Sequence, residues 1–357
     1  MPLRRPSIMA TTSVMVRCSA PNMSCTSATR FSLAPRWRLA VGDLRTEQGA
    51  RVVAHAEAVS GAAFPAVSIP SRVVSRRLLD FLSLTKPRVV LMIVLATAVA
   101  YHLGSVGGPN WVHVLHTLAG TALAAGGTLA LNQFLERESD ALMRRTQDRP
   151  IPSGRLSPKV ALGFGALVAS IGLGYLAIAV GLLASAVTLV TAGLYLVVYT
   201  PLKRVTPLCS ILGAIPGALP TVTGWVAARG ELGAGAGILF TILFLWQIPH
   251  TLAIARLYQD DYARAGIRVL PVVDPEGGST ERQIVVGCLA LWVVTLIPTY
   301  IGLTGWGYFF GSLILGAAFF SSAVAHSFRR SRVSARRVVL ASVLYLPVLL
   351  ALMASGS

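Results

Sequence analysis

The sequence predicts an all-α polytopic membrane protein that crosses the bilayer about nine times. Of its 357 residues, 54% are hydrophobic and 13% are charged, whereas soluble domains carry about 25% charged residues. Apolar stretches of membrane-spanning length recur from residue 89 onward, between short polar breaks. Backbone groups in lipid must be satisfied internally, and no stretch alternates as a barrel strand would, so each is predicted to be a helix.

The nine predicted spans differ in length, and the first and fourth are the shortest. Their approximate limits are 89–104, 114–135, 159–178, 183–200, 207–227, 235–255, 283–303, 308–327 and 337–353.

The formal net charge of +17 is explained by topology. After residue 71, the Lys and Arg residues fall in alternate breaks between spans, and Arg229 is the one exception. The positive-inside rule then predicts a cytoplasmic N-terminus and an external C-terminus. Because the sequence contains no basic soluble module, we expect no nucleic-acid partner.

Residues 1–70 differ in composition from the predicted transmembrane domain at 71–357. They are rich in Ser, Ala and Arg, with six Arg and no acid before Asp43. Three interpretations remain open: an organellar transit peptide, a disordered cytoplasmic extension, or a start assigned too far upstream. The four cysteines of the chain have neither metal-ligand nor redox spacing.

Three polar side chains recur at every fourth residue where the second apolar stretch ends: Asn132, Glu136 and Asp140. Positions i, i+4 and i+8 share one helix face, so an amide and two carboxylates line up at a membrane boundary. Such oxygen ligands suit Mg²⁺, which is usually held by one or two carboxylates plus substrate phosphates. The alternative is a hydrated helix end, with the two acids paired to Arg137 and Arg144.

A second polar group is predicted where the sixth apolar stretch ends. On one continuous helix, His250 and Asp261 would share a stripe, with Tyr258 beside it. Asp260 would point about 100° away from Asp261, so Asp261 is the better metal ligand and Asp260 a substrate contact. A satisfied core histidine and a capped, hydrated helix end remain the alternatives.

Basic side chains lie between and beside these acids. Arginines near carboxylates can clamp phosphate oxygens that a metal does not reach. The alternative for the basic loop after the fourth span is a purely topogenic role. The predicted substrate contacts of this kind are Arg144, Arg145, Arg149, Lys203, Arg204 and Arg264. Tyr199 and Tyr258 are further predicted substrate contacts.

Together these residues predict an enzyme that stabilises a departing diphosphate. Mg²⁺ and basic side chains would neutralise the leaving group, and an apolar cavity among the helices would protect an allylic carbocation from water. An electron-rich acceptor carbon would then attack, so no protein nucleophile is required.

Four strings resemble the protohaem IX farnesyltransferase (haem O synthase) branch of the intramembrane aromatic prenyltransferases. They are Asn-x₃-acid-x₃-Asp-x-x-Met-x-Arg-Thr-x-x-Arg-Pro at 132–150, Tyr-Thr-Pro-Leu-Lys-Arg at 199–204, Gly-Ala-x-Pro-Gly-Ala-Leu-Pro-x-x-x-Gly-Trp at 213–225, and Trp-Gln-x-Pro-His at 246–250 with Asp-Tyr-Ala-Arg-Ala-Gly-Ile-Arg-x-Leu-Pro at 261–271. The resemblance covers about residues 80–353.

The resemblance implies a nine-helix prenyltransferase bundle that depends on Mg²⁺ and uses farnesyl diphosphate and haem B. Farnesyl transfer to a haem vinyl group, with addition of water, would give haem O for terminal oxidases. It also implies membrane lipid, haem A synthase and terminal-oxidase assembly factors as candidate partners. A bacterial inner membrane is the expected location, with the mitochondrial inner membrane as the alternative.

The same resemblance assigns roles to individual positions. It implies that Asn132, Glu136, Asp140 and Asp261 are metal and catalytic residues, that Lys203 acts with them, and that His250 contacts haem. Many bacterial relatives carry Asp where this chain has Glu136, whose carboxylate reaches one methylene further.

Two rival functions use the same features differently. A related prenyltransferase would take a quinone-type or chlorophyll-type acceptor, and the Trp246–His250 string argues instead for haem. A transporter would place polar residues at mid-depth and show two-half symmetry, whereas the acids here lie at one membrane face.

Overall fold

The structure is a computed structural model and describes residues 73–276 and 278–356. Within these ranges the chain is helical and contains no strand. The predicted N-terminal extension at 1–70 lies outside them.

Nine helices of the described residues are long and apolar enough to cross a membrane, which confirms the nine predicted spans. Short helices α1 (Val73–Leu84), α8 (Gln259–Arg264), α9 (Leu270–Val273) and α11 (Ile297–Tyr300) lie between or beside them. The long helices are α2 (Pro87–Gly104), α3 (Trp111–Leu142), α4 (Pro158–Ala179), α5 (Leu182–Leu202), α6 (Cys209–Arg229), α7 (Ala234–Leu257), α10 (Gly278–Val294, which the span continues through α11 to Tyr300), α12 (Trp306–Arg329) and α13 (Arg332–Ser355).

The starts of several helices follow from local sequence. Asn110 caps α3, because its side chain accepts hydrogen bonds from the backbone N–H groups of Val112 and His113. Ser157 caps α4, and Ser331 forms a capping box with Ser334 at the start of α13. These caps satisfy N–H groups that have no partner within the helix.

Helices α3 and α4 form the most extensive helix pair, and glycine makes their close approach feasible. A Cβ at Gly127 would clash with the backbone of Ala169, and one at Gly172 with the backbone of Ala124. Small residues at both contacts therefore let the two backbones meet, as is usual between membrane helices.

Helix α5 contains a π-helical turn at Leu194–Tyr199. The backbone N–H of Thr200 accordingly bonds to the carbonyl of Tyr195, five residues earlier. The rings of Tyr195 and Tyr199 lie 5.4 Å apart on this turn. The turn therefore brings two tyrosines together near the end of α5 that leads into the basic loop.

Helix α7 ends before Asp261, whereas the predicted polar stripe requires one helix from His250 through Asp261. It ends at Leu257, Tyr258 leaves the helical conformation with φ −112° and ψ 28°, and α8 begins at Gln259. The guanidinium of Arg256 bonds to Gln259 and to the carbonyl of Pro275, so tertiary contacts hold this break. The prediction that His250 and Asp261 share one continuous helical stripe is therefore wrong.

The polar motifs nevertheless meet at one end of the bundle. The C-terminal end of α3 contacts both the loop after α5 and helix α8, through a Lys203–Glu136 ion pair and an Arg264–Leu142 hydrogen bond. Candidate functional residues that are far apart in sequence thus share one surface of the described structure.

Candidate active site

Asn132 lies fully buried at the centre of a polar cluster. Its Oδ1 accepts hydrogen bonds from Nζ of Lys86 at 3.1 Å and from the hydroxyl of Tyr195 at 3.5 Å. Its Nδ2 donates to the hydroxyl of Thr200 at 3.1 Å, which in turn donates to the carbonyl of Tyr195. These bonds fix the amide orientation, so the oxygen points toward Lys86 and Tyr195.

Glu136, one turn further along α3, pairs with Lys203 at 2.6 Å. The Glu136 and Lys203 side chains are only 15% and 16% exposed, and the ammonium also lies 4.2 Å from the centre of the Tyr199 ring. Burial opposes the charged form of Lys203, yet Tyr199 and Glu136 raise its pKa well above the usual range. Lys203 is therefore a fixed cation.

The other two predicted acidic ligands are also paired with bases. Asp140 is buried and accepts a 2.6 Å bond from Arg149, while Asp261 pairs with Arg264. The distant partners of Glu136 and Asp140 rule out the local pairing with Arg137 and Arg144 that the sequence left open; Arg137 bonds to Glu138 instead.

Cations outnumber carboxylates in this cluster. The three acids are matched by four bases that touch them or Asn132: Lys86, Lys203, Arg149 and Arg264. Burial lowers the pKa of Lys86 to about 8, and Arg149 acts in the same direction, while Glu136 opposes the shift. Surplus positive charge of this kind favours a polyanionic ligand.

The donor set fits Mg²⁺ in one particular mode. Among the described residues, no three His, Cys, Asp or Glu side chains gather as a metal-binding group. Mg²⁺ does not require such a cage, because one or two carboxylates plus substrate phosphates usually hold it. The oxygens of Asn132, Glu136, Asp140 and Asp261 suit that mode.

Further predicted contacts are distributed around this cluster. Arg204 donates to Ser139 at 2.7 Å, and Arg145 donates to the hydroxyl of Tyr262 at 2.8 Å while packing against the ring of Tyr258. Arg144 is exposed and makes no hydrogen bond or ion pair with the described residues.

Asp260 lies apart from these residues. Its side chain is 64% exposed and pairs with Arg332 at the start of α13, whereas Asp261 is largely buried. The structure thus separates two adjacent acids. Arg264 pairs with Asp261 and also bonds to the carbonyl of Leu142, so it links Asp261 to the end of α3 that carries the other predicted ligands.

A backbone bond joins the two loops of the site. The N–H of Arg268, in the loop after α8, donates to the carbonyl of Lys203 at 2.8 Å. The basic loop and the second acidic loop are therefore held together independently of any side chain.

A pocket of about 560 Å³ is lined by Glu136, Lys203 and Arg204. A separate cavity of about 540 Å³ lies in the bundle beside this cluster. Its wall is mostly apolar, with a few polar groups at defined points. Tyr195 and Tyr199 line the end nearest Asn132 and Lys203. The other lining residues include Met92, Ile93, Ala124, Leu129, Pro216, Leu243, Trp246, Gln247, His250, Val343 and Leu346.

His250 lies on the wall of this cavity and is held in place. Its ring stacks on Trp246 with centroids 4.6 Å apart, and its Nδ1 lies 2.7 Å from the hydroxyl oxygen of Ser342. The site thus combines a cationic, oxygen-rich cluster with an adjacent apolar cavity that contains one oriented imidazole, and Tyr195 and Tyr199 lie between them.

Comparison with known proteins places this geometry in a family. The sequence pattern of the UbiA prenyltransferase family matches residues 93–351. The chain belongs to the UbiA prenyltransferase family.

Curated relatives within this family match over nearly their whole length. A protoheme IX farnesyltransferase of Solibacter usitatus is 46% identical over 77% of this chain and 97% of its own. Another from Koribacter versatilis is 43% identical over 80% of this chain and 96% of its own. The resemblance to this branch of the family is therefore confirmed.

Solved UbiA-type structures share the fold at low sequence identity. A digeranylgeranylglyceryl phosphate synthase superposes with a TM-score of 0.66 at 16% identity, covering 79% of this chain and 98% of its own. A UbiA homologue from Archaeoglobus fulgidus, bound to GPP and Mg²⁺, gives 0.54 at 16% identity, covering 77% and 99%. These likenesses confirm the predicted helical bundle.

Several residues of this UbiA-family site were not predicted from the sequence. Lys86, Tyr195 and Thr200 all bond to or contact Asn132, and Ser342 holds His250 from the last helix. Only Lys86 carries a usable signal, because a lysine directly before Pro87 at a span's start is a cation at the membrane surface.

Proposed function

We propose that this chain transfers the farnesyl group of farnesyl diphosphate to a vinyl group of haem B, giving haem O. The observation that carries the proposal is the cation-rich cluster beside an apolar cavity, in a chain 46% identical to a protoheme IX farnesyltransferase. A diphosphate matches the cluster, and an isoprenoid chain matches the cavity.

Divalent metal would bind with the diphosphate at this cluster of charged residues. Asn132, Glu136, Asp140 and Asp261 would hold Mg²⁺, which supplies Lewis-acid stabilisation of the charge that develops on the leaving group. The Archaeoglobus fulgidus homologue, which is bound to both GPP and Mg²⁺, supports this assignment.

The basic side chains would change partners when substrate binds. Each carboxylate now neutralises a neighbouring base, for example Glu136 with Lys203 at 2.6 Å. A cation that binds the carboxylates would release Lys203, Arg149 and Arg264 toward phosphate oxygens, where charge-assisted bonds are strong. Arg144, Arg145 and Arg204 would add contacts at the edge, with Tyr258 supporting Arg145.

Transfer requires that one bond break and another form inside the cavity. The C1–O bond of farnesyl diphosphate breaks with its electron pair on diphosphate, and the vinyl π pair forms the new carbon–carbon bond. Water then adds to the resulting porphyrin-side cation and loses a proton. Apolar walls such as Met92, Leu129 and Leu243 keep water from the allylic cation until the acceptor attacks.

The fold and the family support a proposal for where the protein lies and which partners it has. The chain is an integral membrane protein. We propose a bacterial inner membrane, with the N-terminus and the charged cluster on the cytoplasmic side. Protein partners proposed for its product are haem A synthase and terminal-oxidase assembly factors; residues 1–70 are proposed as an extension outside the catalytic domain.

Haem analysis in a host that lacks haem O tests the function directly. The chain is expressed there beside Asp140→Asn and Asp261→Asn variants at equal membrane abundance, with the distal acid variant Glu231→Gln as a control. Haem O should form with the unchanged chain and Glu231→Gln, and both aspartate variants should abolish it, because each removes a charged ligand.

The opposite result would redirect the search. If abundant, folded protein left haem B unmodified, the proposed acceptor would be wrong. Quinone-type acceptors, which suit the same diphosphate chemistry, would then be tested with the same variants.

A further inference from the structure

The hydrogen-bond network behind His250 favours one tautomer of its ring. The hydroxyl of Ser342 has a single proton and donates it to the carbonyl of Val339 at 2.7 Å. The same oxygen lies 2.7 Å from Nδ1 of His250, and the arrangement that satisfies both contacts has Nδ1 protonated and donating to Ser342. The neutral imidazole then has its lone pair on Nε2.

The ring is also fixed in orientation. Trp246 stacks against it with an interplanar angle of 16°. The indole N–H of Trp246 donates to the carbonyl of Ser342 at 3.0 Å, so one fully buried serine on α13 positions both aromatic residues of α7. Rotation of the imidazole would break the Nδ1 bond and the stacking together.

Nε2 is the atom of His250 that this network leaves available. It has no hydrogen-bond partner among the described residues, and His250 lines the cavity beside Val343 and Leu346. A basic nitrogen facing an apolar chamber, with its opposite N–H bonded to a neutral oxygen, is the arrangement in which proteins hold a metal-ligating imidazole.

We infer that Nε2 of His250 is an axial ligand to the iron of the acceptor haem. This inference rests on the proposed function, because it requires an iron porphyrin in the cavity. Coordination would fix the porphyrin centre between α7 and the tyrosine-lined end of the cavity. It would also favour a metalloporphyrin over a quinone-type acceptor, which has no metal to bind the imidazole.

Spectroscopy of bound haem tests the ligation separately from catalysis. Purified full-length protein is loaded with haem B, reduced and exposed to nitric oxide, and the hyperfine structure of its electron paramagnetic resonance signal is recorded. Protein labelled with ¹⁵N-histidine should alter that structure, because the trans imidazole nitrogen couples to the iron nitrosyl. His250→Ala should abolish the coupling, and added imidazole should restore it.

Two variants and one ligand provide the controls. His116→Ala, whose ring bonds to Tyr175 away from the cavity, should leave the signal unchanged. Ser342→Ala should weaken haem binding about 10-fold, as loss of a supporting bond behind a metal ligand does. Iron-free protoporphyrin IX should bind the His250→Ala and unchanged proteins equally, which would show that the variant's cavity is intact.

Failure of the ligation and failure of the function give different results. If the unchanged chain makes haem O but the ¹⁵N label has no effect, or if His250→Ala keeps the coupling, axial ligation by His250 is wrong and the function stands. If no haem O forms in the deficient host, the proposed function fails, whatever the spectrum. Weaker binding of iron-free protoporphyrin by His250→Ala would overturn a role confined to the iron.

Discussion

Lys86 has an unusual backbone for a lysine next to a functional amide. Its φ is +50°, in the left-handed region that favours glycine, and its Nζ reaches Asn132 on another helix. A side chain in this region costs roughly 1–2 kcal/mol. The fold therefore retains a strained residue at a position from which its ammonium meets Asn132.

Replacing Lys86 separates strain from chemistry. Lys86→Gly relieves the left-handed conformation, so the protein should be as stable as the parent or slightly more so. Farnesyl transfer should nevertheless fall at least about 10-fold, because the ammonium that bonds to Asn132 beside the proposed diphosphate site is lost. Haem O formation and thermal unfolding, measured on the same preparation, check both parts.

A lysine outside the site serves as the matched control. Lys159 is exposed at the start of α4, so Lys159→Gly should leave transfer unchanged. Full activity of Lys86→Gly would exclude this ammonium from the reaction.

Individual acids were easier to predict than their partners. The spacing of Asn132, Glu136 and Asp140 determines that they share a face of α3, and this depends only on helix geometry. The bases that meet them come from elsewhere in the chain: Lys86 lies 46 residues before Asn132, and Lys203 lies 67 after Glu136. Such contacts depend on tertiary packing, which no local pattern encodes.

At the scale of helices, two glycines of α4 have opposite surroundings. A Cβ on Gly172 would enter the backbone of Ala124 in α3, whereas one on Gly174 meets nothing within 4 Å. The sequence alone does not distinguish them, because both occupy the same apolar helix. Only the position of α3 makes one of them necessary.

This difference predicts contrasting effects of the same substitution. Gly172→Ala should lower the thermal unfolding temperature and the yield of folded protein, because α3 and α4 must separate to admit a methyl group. Gly174→Ala should be neutral or stabilising, since alanine favours the helix by up to about 1 kcal/mol. Thermal unfolding in detergent measures both, and equal destabilisation would contradict the proposed packing role.

The break between α7 and α8 was missed for a related reason. Nothing at Tyr258 resembles a helix terminator, since neither glycine nor proline stands there. Arg256 holds the break through Gln259 and Pro275, and it also lies 3.3 Å from the buried Glu281 of α10. Local helix preference continues through this region, but long-range polar contacts override it.

For the whole molecule, hydropathy was sufficient to locate the nine spans. Each predicted stretch corresponds to a helix in the described residues, and most helix ends extend beyond the apolar limits. The exceptions are the fifth span, which begins at Cys209, and the seventh, which ends at Tyr300. Helix α3, for example, continues from the apolar region to Leu142 and so carries its polar residues on the same rigid element. Composition gives the number of helices, but the site requires their contacts.

The orientation of the molecule gives a further prediction. In a cysteine-free background, Ser153→Cys in the loop after α3 should be protected from a membrane-impermeant maleimide in intact spheroplasts. Glu231→Cys, in the loop after α6, should react. Both should react after the membrane is opened, and the reverse pattern in intact spheroplasts would invert the proposed topology.

The π-helical turn at Leu194–Tyr199 changes the direction in which the later side chains of α5 point around the helix axis. One residue more in a turn rotates the rest of a helix by about 100° relative to a regular α-helix. Lys203, which follows α5, therefore points in a direction that a regular α-helix of the same length would not give. The extra residue in this turn orients the ammonium that pairs with Glu136.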